Sequence, residues 1–226
     1  MRKIKKFRIP IYTYDILRKA KKNKIDLFAL GLADQESSRE YIASLAAALE
    51  ASTVFDLLVP GENLIEHVTP SRGGSGTLAL ITLGSAFEAK LGSITDPGLF
   101  RLAGTAAQVF AETGLKVVSE LINQEIAAEG LTLGDPVGIF SFNSDACEIP
   151  GAGAEAKDGG SAPDGAPGSS LRAGPDLLAA CLARLNADKI GVSLNENALS
   201  PKHTIIFGLP WLASKKKKPA AGTASR

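Results

Sequence analysis

Between Asp96 and Gly130 the chain carries an apolar stripe that suits a long helix. Leu99, Leu102, Ala103, Ala106, Val109, Phe110, Val117, Leu121, Ile122 and Ile126 recur mostly at spacings of three and four, which puts them on one side of a helical cylinder. The start is marked as well. Asp96 can accept a hydrogen bond from a first-turn amide, and Pro97 suits the first helical position because its missing N–H would have no partner there. Gly130 stands where a C-cap glycine belongs. At 1.5 Å per residue the segment would reach about 50 Å, so a bend or break is expected near Gly114.

Short strand-like runs lie on either side. Residues 53–59 end at Pro60-Gly61, 63–68 form a weaker candidate, 78–82 are continuously apolar, and 137–142 follow the long helix. Residues 7–12 alternate but contain Pro10, which suits an edge strand or an extended arm. Shorter helices are expected over 14–22, with Asp15 early and basic residues late as the helix dipole favours, and from a Ser37 or Ser38 cap to about Glu50. Two more are expected over 85–91 and 175–186. The apolar runs 190–194 and 204–209 flank a polar turn containing Pro201, and read as an antiparallel strand pair. Strands and helices do not alternate regularly. The expected class is therefore α+β: a mostly antiparallel twisted sheet packed with helices, one of them long.

Residues 1–214 are expected to form one domain. Within it, 148–174 are so rich in Gly, Ala, Ser, Pro and Asp that a mobile insertion is expected, and 215–226 should form a disordered basic tail. The net charge of +1 conceals an uneven layout: residues 1–8 contribute +5, Lys215 to Lys218 with Arg226 another +5, and the body between them about −9. A mildly acidic body does not suit nucleic-acid binding, and the basic ends read as a solvated strand edge and tail. No apolar run approaches the ~20 residues that span a bilayer, and no apolar region follows the charged N-terminus, so neither a membrane span nor a secretory signal is expected. Cys147 and Cys181 lack CxxC spacing, and His67 and His203 stand alone, which fits reduced thiols in a cytoplasmic protein without a metal site.

Several local motifs have plain readings. Ser71-Arg72-Gly73-Gly74-Ser75-Gly76 lacks the spacing of a phosphate-binding loop and reads as a hairpin loop. Asp145 and Glu148 could pair as carboxylates, but a polar loop would leave both solvated. Trp211 should pack against the sheet, and nothing in sequence near Cys147 would lower its pKa.

The order of segments carries more. Thr82-Leu83-Gly84 stands between a strand and a helix, Asp96-Pro97 opens the long helix and Glu129-Gly130 closes it. A strand, a helix and Ile190-Gly191-Val192-Ser193-Leu194 follow, with Pro201 and a closing strand behind. Over roughly residues 78–209, and more loosely from Asp15, this order resembles the activation domain of cobalamin-dependent methionine synthase. The resemblance implies binding of S-adenosylmethionine in a groove along the sheet. It also implies docking on a corrinoid protein or cobalamin-dependent methyltransferase, the partner supplying the cobalamin, so that cob(II)alamin is reduced and methylated. The cofactor-binding residues it implies are Phe140, Ser141, Phe142, Asn143, Ser144 and Asp145, with Asn195 and Glu196 nearby.

One departure matters. The family's signature for S-adenosylmethionine is an arginine-containing segment ending in Pro-Gly-Tyr, and this chain has Ile139-Phe140-Ser141-Phe142-Asn143-Ser144-Asp145 in that place. Isoleucine cannot supply the directed hydrogen bonds of a guanidinium, and Phe142-Asn143 does not reproduce a Pro-Gly turn. The alternative expectation is a non-catalytic corrinoid- or partner-binding module that has lost S-adenosylmethionine binding.

Overall fold

A computed structural model describes residues 1–60, 62, 64, 68, 74–140, 175–195 and 198–213. In chain order the elements are β1 (Arg2–Ile4), α1 (Thr13–Lys22), α2 (Gln35–Ala46), β2 (Ser52–Leu58), β3 (Gly76–Thr82), α3 (Ser85–Gly92) and α4 (Pro97–Ala127). They continue with β4 (Leu131–Leu133), β5 (Val137–Phe140), α5 (Pro175–Leu185), a 3-10 turn (Ala187–Ile190), β6 (Ser193–Asn195), β7 (Ala198–Ser200) and β8 (Thr204–Ala213). The class is α+β. Every strand pairing is antiparallel, in the order β1-β2-β3-β8-β4, with β5 also on β8.

Strand β8 organises the sheet. Along one edge it pairs with β3 from Thr204 to Pro210. Along the other it takes β5 opposite Ile206–Gly208 and β4 opposite Trp211–Ala213. The Gly134 amide donates to the Pro210 carbonyl at 2.8 Å between these stretches, so β4 and β5 act as one interrupted edge strand.

Side chains alternate across a sheet, and here both faces are covered. Phe55, Ala79, Ile81, Ile205, Phe207 and Leu209 face α1 to α4, whose buried residues include Ile16, Leu45, Phe87 and Phe110. Val54, Leu78, Leu80 and Ile206 face the opposite way, onto Leu178, Cys181 and Leu185 of α5 and onto Val192 and Leu199. Each large side chain buried in this way contributes about 1.5–3 kcal/mol as an upper bound. The strand β3 is buried at all seven positions, as a strand covered on two faces must be.

The long helix differs from expectation at one point. α4 runs 31 residues without interruption. At Gly114 it lies close to the sheet: an added Cβ would sit 3.3 Å from Ile9 Cδ1 and 3.6 Å from Ile81 Cγ2. The glycine therefore serves close approach, and does not break the helix. The Asp96 carboxylate accepts from the Leu99 amide at 2.8 Å, so the expected cap is present. On α2 the cap is Asp34, accepting from the Ser37 amide at 2.8 Å, and not Ser37 or Ser38.

The N-terminal edge strand is Arg2–Ile4, whereas 7–12 form an arm outside the strands, because Lys6 turns the chain with a φ of 54°. Val68, expected in a weak strand, has helical backbone and is fully buried. The expected pairing of 190–194 with 204–209 does not form, and the two runs lie in different sheets. Left-handed residues at Asn186 and Gly191 wind 187–190 into the 3-10 turn. Only Ser193–Asn195 stays extended, and it pairs with Ala198–Ser200 in a separate two-stranded sheet.

Candidate functional site

One corner of the sheet is tied together by polar contacts. Where β3 ends, the Leu83 amide donates to the His203 carbonyl at 3.0 Å and the Glu50 amide donates to the Leu83 carbonyl at 3.0 Å. The Gly84 amide donates to Thr82 Oγ1 at 3.2 Å. Thr204 Oγ1 donates to the Pro201 carbonyl at 2.7 Å and lies 3.1 Å from Thr82 Oγ1. Gly84 is required here. Its φ is 94°, and a Cβ would lie 2.8 Å from Glu50 Cβ.

The turn after α5 reaches the same corner. The Val192 amide donates to the Ala187 carbonyl at 3.1 Å, Val192 is buried, and Gly191 takes a φ of 77°. Gly84-Ser85 and Ile190-Gly191 together line a cleft of about 200 Å3, completed by Lys5, Lys6, Glu50, Ser52 and Pro201. Two segments far apart in sequence, both prominent in the reading above, thus share one cleft.

Charge in the cleft is mixed. Lys6 Nζ lies 3.3 Å from Glu50 Oε1, an exposed pair that contributes little to stability. The first turn of α3 begins at the cleft, and amides at a helix start present partial positive charge. His203 is half-buried, edge-on to Phe87 with ring centroids 5.6 Å apart. Burial holds its imidazole below the ordinary histidine value, Glu88 opposes this, and Lys202 reinforces it.

Of the site residues implied by the resemblance, the two described ones, Phe140 and Asn195, do not line this cleft. Phe140 ends β5, half-buried against the cluster that includes Ile139, Cys181 and Ile206. Asn195 ends β6, exposed, opposite Ala198. Leu194 packs on that same cluster, so the ends of β5 and β6 belong to one layer. Ser141, Phe142, Asn143, Ser144, Asp145 and Glu196 lie outside the described residues, as do Cys147, His67, the 148–174 insertion and the basic tail. The cleft instead draws on Lys5, Lys6, Glu50 and Ser85, which carried no motif. Gly84 and Gly191 were the available signal. Trp211 packs against the sheet as expected, its Nε1 donating to Thr77 Oγ1 at 2.9 Å. Among the described residues no group of His, Cys, Asp and Glu could hold a metal ion, and no helix is long and apolar enough to cross a membrane. No protein family matches the sequence, and no curated protein matches it.

Proposed function

We propose that the protein serves a corrinoid protein or cobalamin-dependent methyltransferase, in the manner of a methionine synthase activation domain. It would hold the partner's cobalamin while an external one-electron donor protein reduces cob(II)alamin to cob(I)alamin, which would then take the methyl group from S-adenosylmethionine and release S-adenosylhomocysteine. One observation carries this reading: Gly84, of the Thr82-Leu83-Gly84 step, and Ile190-Gly191, of the Ile-Gly-Val segment, line the same cleft. The strand pair expected of 190–194 and 204–209 is absent, so the reading rests on segment order and on that convergence. In such a reaction the chemistry belongs to the two cofactors, and the protein contributes alignment of the sulfonium methyl with the cobalt.

A second reading has its own support. Ile139 is buried and Phe140 packs into the apolar layer, so the described end of β5 presents no guanidinium where the family's signature has an arginine. On this reading the protein is a docking module without S-adenosylmethionine.

Two measurements decide. Co-precipitation of the full chain with a cob(II)alamin-loaded corrinoid carrier tests the shared element, and loss of co-precipitation sinks both readings. Calorimetric titration with S-adenosylmethionine separates them. Saturable heat that Gly191→Ala weakens supports the first, and no heat at millimolar ligand leaves the second.

A further inference from the structure

Residues 201–203 link the two-stranded sheet to the large one, between the end of β7 and the start of β8, and Pro201 forms part of the cleft wall. Backbone contacts hold this loop down. The His203 carbonyl accepts from the Leu83 amide at 3.0 Å, and the Glu88 carboxylate accepts from the Lys202 amide at 3.0 Å. The loop is thereby tied to the end of β3 and to α3. The His203 ring adds a contact of another kind, as the last member of a row that leads into the core. Phe110 of α4 and Phe87 of α3 meet edge to face with centroids 6.0 Å apart, and Phe87 meets the imidazole in the same way at 5.6 Å. Both phenylalanines are buried.

A neutral imidazole can end such a row as a flat ring. An imidazolium in the same place gives up hydration that the phenylalanine beside it does not replace. Among the described residues the charged groups acting on the ring are Glu88 from α3, which favours the cation, and Lys202 of the loop itself, which opposes it. The strands β3 and β8 carry no charged residue. Glu88 already accepts from the Lys202 amide, and burial outweighs its attraction. The flanks of the loop are fixed, since Ser200 pairs with Ser193 and Thr204 with Thr82. A displacement that carries the ring to water is therefore confined to 201–203, and it moves the Pro201 wall of the cleft.

We propose that residues 201–203 are an acid-released flap on the cleft: protonation of His203 turns its ring away from Phe87, parts the loop from Leu83 and Glu88, and opens the cleft on the Pro201 side. The device does not depend on which ligand or partner the cleft serves. Amide hydrogen exchange of the full chain tests it, with rates corrected for the intrinsic effect of pH. In the opened loop His203 titrates as an ordinary histidine, so the open population rises by up to about tenfold between about pH 7.5 and about pH 5.5. The Leu83 and Lys202 amides lose protection several-fold, up to that ceiling, in the wild type and keep it in His203→Gln. Low urea separates the flap from unfolding: a loop that exposes little surface opens independently of urea, whereas the Val118 amide, buried in α4, follows it. Equal protection of Leu83 and Lys202 at both pH values overturns the proposal, as does an equal loss in His203→Gln. So does exchange of these two amides that follows urea as Val118 does, because acid would then act only through unfolding of the whole chain.

Discussion

Gly84 and Gly208 show how single backbone positions fix this molecule. At Gly84 the left-handed φ and the 2.8 Å approach of Glu50 Cβ leave a side chain nowhere to go. Gly84→Ala should cost about 1–3 kcal/mol, seen as a lower urea midpoint with unchanged slope. Gly208 is crowded by a side chain: a Cβ there would collide with Val68. Gly208→Ala should therefore destabilise by about 1–3 kcal/mol, and Val68→Ala in the same chain should recover part of that loss in a double-mutant cycle. His203 sets a pH dependence. Its proton affinity is depressed, chiefly by burial, so the unfolded chain binds more protons than the folded one just below the ordinary histidine value. Stability then rises with pH up to about 6.5 and levels off above it. Urea midpoints of the wild type should fall on acidification below about pH 6.5 more steeply than those of His203→Gln, and parallel curves would refute the assignment.

Elements were legible where several local signals agreed. Asp96, Pro97, the apolar stripe and Gly130 all marked α4, and Asp96→Ala should cost about 1 kcal/mol by removing the amide partner at its start. Thermal unfolding measures this directly. The interior of that helix was less legible, because a glycine at a close approach and a glycine at a break look alike in sequence. Which one applies depends on Ile9 and Ile81, remote in the chain. The same holds for 190–194. Its β-branched residues favour a strand, but Asn186 and Gly191 in left-handed conformations coil the backbone, and burial of Val192 against α5 outweighs local propensity. β1 and β4 are three residues each, too short for alternation to register, and pairing with longer neighbours holds them. The cleft was half legible. Its glycines stood in recognisable segments, while Lys5, Lys6 and Glu50 reach it only through tertiary packing.

At the scale of the whole molecule, the layer on the α5 side is closed over Cys181. Burial pushes its thiol up to about 11, so it is protonated and enclosed at neutral pH. In a Cys147→Ser background, disulfide-exchange reagents should label Cys181 only as fast as that layer opens, with the rate rising in parallel with urea-induced unfolding. Immediate labelling in native buffer would contradict the layered arrangement. The position of β8 in the chain has a consequence for biosynthesis. Its partners β3, β4 and β5 leave the ribosome first, and Thr204 meets Thr82 across a separation of 122 residues. Until 204–213 emerge, β3 has one edge bare and the β4–β5 segment has nothing to pair with, which is the condition that invites strand-to-strand aggregation. Chains stopped after Lys202 should therefore partition into the insoluble fraction, while those stopped after Ala213 stay in the supernatant. A nascent polypeptide of this kind has to be sheltered until 204–213 have emerged.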